Sequence, residues 1–267
     1  MQEREPRVDE QALHRRTVQA QFGPVADRYV TSEGHAKGGD LVELVDWLRP
    51  EPGWRVLDVA TGGGHVAKAL SPHVARVVAS DVTKLMLMAA RQHLAAAGCD
   101  NVDYVLADAE QLPFLDASFD VVTCRIAPHH FLRPDVFVRE SHRVLRPQGR
   151  LLIIDNVAPP ESEAAEYINT IEKMRDPSHV RCASVDEWRL WLNAAGFDIV
   201  RERTRRKAFP FTTWVRRMVH EDGLTADLEQ YMLQASAAGR EYFCVVEKHG
   251  HVESFEGDEW MGLAVKR

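Results

Sequence analysis

Long apolar runs are missing from this 267-residue chain. No stretch approaches the roughly 18 to 20 residues that span a bilayer, and Met1-Gln2-Glu3-Arg4-Glu5-Pro6 has no apolar signal-peptide core. A cytoplasmic protein is the expectation. Cysteine is scarce: Cys99, Cys124, Cys182 and Cys244 lie far apart without C-x-x-C spacing, which favours reduced, mostly buried thiols over a disulfide framework. No third ligand stands at sensible spacing from the histidines, so no metal is expected. An excess of cations is missing too. The formal charge of −7 gives no general pull towards nucleic acid or anionic membrane, and a nucleic-acid partner would need a local basic patch. Repeats and low-complexity segments are absent, while 45% hydrophobic and 27% charged residues suit a folded chain of one large domain.

What is present centres on Val56-Leu57-Asp58-Val59-Ala60-Thr61-Gly62-Gly63-Gly64-His65-Val66-Ala67. An apolar run breaks into three glycines and resumes as a helical start. This reads as a strand, a tight loop and a helix N-terminus, where free N–H groups and close backbone approach suit a polar ligand of nucleotide size. Strands are expected near 54–60, 74–80, 102–107, 119–125 and 150–155, with helices near 65–71, 83–97 and 134–146 between them. This alternation implies an α/β fold: a parallel sheet covered on both faces, binding at the carboxyl ends of its strands. Residues 1–50 read as a helical cover, 53–157 as the cofactor-binding core and 158–267 as a C-terminal part. In that part a capping box at Ser184-Val185-Asp186-Glu187 opens a helix that runs to Ala195 and stops at Gly196, a strand follows from Phe197 to about Arg205, and a helical insertion is expected at about 208–241. The chain closes on a strand from Glu259 to Lys266.

Two ligand classes compete for the loop. Gly62-x-Gly64-x-x-Ala67 fits the dinucleotide fingerprint, with Asp81 at the distance of a ribose-binding acid; S-adenosylmethionine uses the same kind of loop. Asp58 inside the strand end suits an ordered loop and a cationic amino-acid group better than a pyrophosphate. Asp108-Ala109 after the third strand suits an adenine amino group beside a small residue. No tyrosine has a lysine four positions later, so the Tyr-x-x-x-Lys pair of many compact dehydrogenases is absent. The methyl donor is preferred; a nicotinamide-dependent oxidoreductase and a non-catalytic cofactor-binding protein remain as alternatives.

Val56 to Ala67, Asp81, Asp108 to Phe114, Ser118 to Val122 and Arg143-Val144-Leu145-Arg146-Pro147 together resemble the class I S-adenosylmethionine-dependent methyltransferases, most closely the UbiE-like, type 11 group. The resemblance implies a Rossmann-like sheet of seven strands, mainly parallel, with the last strand antiparallel and inserted beside its neighbour. It implies a small-molecule acceptor, aromatic or quinone-like, and an enzyme acting as a monomer or homodimer. The glycine-rich motif maps onto Asp58, Ala60, Thr61, Gly62 and Gly64, the ribose acid onto Asp81 with Val82 beside it, and the adenine-side pair onto Asp108 and Ala109. Ala60 stands where many members have glycine, and Pro147-Gln148-Gly149 replaces Pro-Gly-Gly. Each acid also has a plainer reading: Asp58 as a loop cap, Asp81 as a helix N-cap, Asp108 as a turn residue.

Methyl transfer needs alignment and, for a carbon or oxygen acceptor, removal of a proton. The segment Cys124 to Phe131 follows the fourth strand, where Arg125 is expected to line the cofactor. His130 is the candidate catalytic residue there, with His129 beside it. Tyr29 is expected over the cofactor, and His35 and Trp214 in the substrate pocket. The run Arg201, Arg203, Arg205, Arg206 and Lys207 reads as a solvated strand edge, with an acidic substrate or RNA as the other reading.

Overall fold

The computed structural model describes residues 8–31, 38–219 and 222–267. Short β-branched runs stopped by glycine, aspartate or proline form the strands, and apolar residues at helical spacing form the helices between them. The chain begins with α1 (Val8–Phe22), α2 (Ala26–Thr31) and α3 (Gly39–Leu48). β1 (Arg55–Val59), α4 (His65–Leu70), β2 (Arg76–Asp81), α5 (Lys84–Ala96), β3 (Val102–Leu106), β4 (Phe119–Arg125), α6 (Pro134–Val144) and β5 (Leu145–Val157) follow. The C-terminal part adds α7 (Ser162–Arg175), α8 (Val185–Ala195), β6 (Phe197–Pro210), α9 (Phe211–Arg216), α10 (Asp222–Leu233), α11 (Ala237–Tyr242), β7 (Val246–Lys248) and β8 (His251–Lys266).

The sheet runs β3-β2-β1-β4-β5-β8-β6, with β7 paired to β8. β1 to β5 are parallel, and β8 is antiparallel to both β5 and β6. The expected insertion of the last strand is therefore present, with β7 as an eighth strand beyond the seven expected. Successive side chains alternate between two cores. Leu57, Val78, Val122 and Ile153 pack with Phe137, Trp188 and Trp260 on one face; Val56, Val77, Val121 and Leu152 pack with Leu44, Leu48, Leu70 and Leu94 on the other. Each such fully buried aliphatic side chain contributes about 1.5–3 kcal/mol of transfer free energy, so both faces hold the strand register. Strand order reverses between β1 and β4, and their carboxyl ends open the crevice where this architecture binds ligands.

A third core joins α7, α9 and α10 to the ends of β6 and β8 through Ile171, Trp214, Val215, Leu228, Met232 and Phe255. Ser184 and Glu187 form the expected reciprocal capping box of α8, which stops at Gly196 in a left-handed conformation. Boundaries differ from expectation in three long strands: β6 runs on to Pro210 instead of ending near Arg205, because Arg206 to Pro210 continue its pairing with β8. β5 starts at Leu145 because the Pro147-Gln148-Gly149 stretch is absorbed as an irregularity in its pairing with β4. β8 starts at His251, well before Glu259, because its first half pairs with Lys207 to Pro210 of β6 and with β7. The cysteines are all free; Cys124 and Cys182 are buried, Cys99 is half-buried and Cys244 is exposed. Among the described residues no helix is long and apolar enough to cross a membrane.

Candidate functional site

The loop between β1 and α4 is held from beneath. The β1–β4 register sets Asp58 opposite Thr123, and its carboxylate accepts hydrogen bonds from Thr123 Oγ1 at 2.9 Å and Thr61 Oγ1 at 2.6 Å. Burial lifts its pKa to about 6 against the pull of these hydroxyls. Ala60 and Gly62 both adopt left-handed backbone, with φ of 52° and 53°. For Ala60 this conformation costs about 1–2 kcal/mol, which explains why glycine suits the position. A Cβ placed on Gly62 meets no atom within 4 Å, so the loop leaves open space on that side.

Two acids stand at the next strand ends. Asp81, at the end of β2, accepts the Gly62 N–H at 3.1 Å and the Thr83 N–H at 2.8 Å. Burial raises its pKa to about 6 despite these donors. The N-cap of α5 is Thr83, not Asp81. Asp108, beyond β3, accepts the Glu110 N–H at 2.9 Å and Arg15 Nη1 at 3.1 Å. Both acids line one cleft with Ala60, Thr61, Gly62, Val82, Ala109 and Arg125. Its open space, mouth included, is about 1120 Å³.

The roof of this cleft comes from the N-terminal helices. Gln11, His14, Arg15, Val18, Phe22 and Tyr29 join the lining. Gln19 Nε2 donates to the Val82 carbonyl at 2.9 Å, and His14 Nε2 lies 2.7 Å from the His130 carbonyl. The Tyr29 carbonyl meets His65 Nε2 at 2.9 Å, and its hydroxyl donates to Met218 Sδ at 3.2 Å. Burial pushes the Tyr29 phenol up to about 12, with Arg175 and Arg217 opposing. Arg125 Nε donates to the buried Asp40 at 2.5 Å. Burial alone would raise Asp40, but this guanidinium brings it below the usual carboxylate range.

The two histidines after β4 have separate environments. His130 lines the cleft, with its ring edge-on to Phe22 at 5.0 Å between centroids. Its Nδ1 lies 3.2 Å from the Ser178 carbonyl and 3.3 Å from Ser178 Oγ. Burial and the neighbouring His129 hold it well below the usual imidazole pKa. His129 points elsewhere: its Nδ1 donates to the buried Asp155 at 2.6 Å, and that carboxylate overcomes burial to raise its pKa.

Of the residues expected at the site, Tyr29, Ala60, Thr61, Gly62, Asp81, Val82, Asp108, Ala109, Arg125 and His130 line the same cleft. Asp58, Gly64, His129 and Trp214 do not. Asp58 lies under the loop. Gly64, at φ 82°, faces α5, where a Cβ would come within 3.0 Å of Leu94. Trp214 packs in the third core against Phe255 and beneath Arg175, because the 211–216 helix buries its aromatic side there. His35 lies outside the described residues. Sequence reasoning missed Ser178 and its partner Asp176, the α1 side chains, and Ile126, a β-branched residue at φ 51° on the cleft wall. Asp176-Pro177-Ser178 carries a turn signal, but nothing local places that turn against His130. Among the described residues no group of three or more His, Cys, Asp or Glu could hold a metal ion.

Residues 57–153 match the model of a methyltransferase domain. The uncharacterised methyltransferase YcgJ of Bacillus subtilis is 34% identical over 244 residues, covering 90% of this chain and 95% of that protein. The ubiquinone/menaquinone biosynthesis C-methyltransferase UbiE of Dinoroseobacter shibae is 31% identical, covering 70% of this chain and 84% of its own. A crystal structure from Bacillus halodurans, described as a methyltransferase, superposes with a TM-score of 0.84 at 40% identity, covering 86% of this chain and 99% of that one. These likenesses decide between the two cofactor classes that the glycine loop alone leaves open. With the glycine loop, the two strand-end acids and the inserted antiparallel strand, they show that the chain belongs to the class I S-adenosylmethionine-dependent methyltransferases, in the UbiE-like group.

Proposed function

We propose that this enzyme methylates a small molecule bearing an aromatic or quinone-like ring, using the cleft over β1 to β4. The observation that carries the reading is the division of one lining into two chemically different parts. The strand-end part, with Ala60 to Gly62, Asp81, Val82, Asp108 and Ala109, fits S-adenosylmethionine: Gly62 leaves open space, and the two acids stand where hydroxyl and amino groups can donate. Asp81 would take the ribose, Asp108 and Ala109 the adenine side, and the backbone of Ala60 to Gly62 the amino-acid portion. Bound there, the cofactor supplies an activated methyl group on sulfur. The remaining part, Phe22, Tyr29, His130 and Phe131, offers ring faces to an acceptor, and UbiE proteins are named for a quinone pathway.

Burial and the neighbouring His129 hold His130 in its neutral form, so one ring nitrogen keeps a lone pair that can take a proton from an O–H or activated C–H acceptor, as a weaker base than an ordinary imidazole. The paired state of the basic run on β6 speaks against RNA: Arg203 meets Glu43, and Arg205 and Lys207 meet Glu259. Calorimetry with S-adenosylmethionine and S-adenosylhomocysteine tests the cofactor half, with affinity expected to fall at least tenfold in Asp81→Ala. Mass spectrometry of cell extract incubated with labelled methyl donor tests the acceptor half. Label in a ring-containing small molecule is the expected result; label in RNA or protein alone would overturn it.

A further inference from the structure

The turn after α7 is tied to His130 by a specific chain of hydrogen bonds. Asp176 Oδ1 accepts both the Ser178 N–H at 2.8 Å and the Ser178 hydroxyl at 2.6 Å. The proton of Ser178 Oγ is thereby committed to Asp176, so towards His130 this oxygen acts only as an acceptor. The Ser178 carbonyl is an acceptor by nature. Both lie next to His130 Nδ1, at 3.3 and 3.2 Å. Nδ1 must therefore carry the hydrogen, which leaves Nε2 with the lone pair. Asp176 is 1% exposed and Ser178 fully buried, so water does not offer the ring an alternative partner on that side.

We propose that Asp176 and Ser178 are positioning residues that fix this tautomer of His130, so that Nε2 receives the acceptor's proton during methyl transfer. The proposal rests on the proton-accepting role given to His130 above. As the acceptor's electron pair closes on the methyl carbon, the pair of the broken carbon–sulfur bond stays on sulfur and the acceptor's proton passes to Nε2. Asp176 Oδ2 stands 3.9 Å from Nε2, beyond hydrogen-bond reach of the neutral ring but close enough to favour the imidazolium once it forms. The other charged or titratable groups around the ring are His129, His179 and Arg175, which oppose that charge, and His14, which meets the His130 carbonyl. Asp155 draws His129 away from the cleft.

Nitrogen-15 imidazole spectra of the full chain at about pH 7.5 read the tautomer directly. Wild type is expected to show His130 with the hydrogen on Nδ1. Asp176→Ala should shift the population towards hydrogen on Nε2, Asp176→Asn, which keeps an acceptor oxygen, should restore the wild-type pattern, and Ser178→Ala, which keeps the Asp176 bond to the Ser178 N–H, should shift it in part. An Nε2-hydrogen ring in wild type, or no shift in both alanine variants, overturns the proposal. In parallel, labelled methyl transfer to saturating extract acceptor should fall about 10- to 100-fold in Asp176→Ala and about 100-fold or more in His130→Ala, with S-adenosylhomocysteine affinity within about twofold of wild type. Full transfer by His130→Ala overturns the proton-accepting role itself. The spectra then still report whether the turn sets the tautomer, which separates the two failures.

Discussion

Burial pushes the Asp81 carboxyl up from its ordinary 3.8 to about 6, and this has a signed consequence for binding. A carboxyl raised in the folded chain favours the fold below its unfolded value, and that contribution is lost as pH rises from about 4 to about 6. A ligand whose hydroxyls donate to Asp81 favours the ionised form, so it must displace the proton. Affinity for S-adenosylhomocysteine should be level above about pH 7 and weaken by up to about tenfold per unit below pH 6. In Asp81→Asn the profile should flatten at lower affinity. Calorimetry from pH 5 to 8 checks both, and a level wild-type profile would remove Asp81 from the site. At this scale Gly62, Asp81 and Asp108 were legible because strand ends in a parallel sheet point their loops into one crevice. Gly64 and Trp214 were not, since the face a residue turns to its neighbours depends on which helix lies there. Asp176 and Ser178 were invisible because the contact with His130 spans 48 positions.

Among elements, α1 stands apart. None of its described side chains is buried, yet it spans three strand-end loops through Gln19 on Val82, Arg15 on Asp108 and His14 on His130. A helix held by half-exposed polar contacts opens more readily than the core, and an exposed ion pair such as Arg15–Asp108 contributes at most about 1 kcal/mol. If the cofactor binds as proposed, the helix is expected to open as a door over it. A combined His14→Ala, Arg15→Ala and Gln19→Ala variant should release S-adenosylhomocysteine several-fold faster in stopped-flow measurements, with its melting temperature within about 2 °C of wild type. An unchanged release rate would show that α1 is no barrier. The alternation of strands and helices from β1 to β5 was readable because apolar runs of sheet length are separated by helix-length amphipathic stretches. The first half of β8 was not, because His251 to Asp258 mixes glycine and charge and pairs along a stretch where one side faces solvent.

Across the whole molecule, the basic run of β6 serves cohesion. Glu259, with no exposed surface, lies 2.7 Å from Arg205 and 3.2 Å from Lys207, and Arg203 and Arg205 reach over to Glu43 and Asp40 near the start of α3. Asp40 in turn holds Arg125 in the cleft wall. Glu259→Gln leaves these cations crowded and should destabilise the fold by about 3 kcal/mol, a fall of roughly 6–12 °C in melting temperature. A change of less than about 2 °C would show the network to be incidental. The placement of β8 between β5 and β6 also dictates an order of birth. Among the described strands β6 pairs with β8 alone, so residues 197–210 leave the ribosome with no strand to join. They wait, and the outer edge of β5 waits with them, until residues 251–266 emerge. A ribosome stalled between the two would carry a nascent chain in which every strand-end loop of the cofactor cleft has already been made, beside a sheet that is still open.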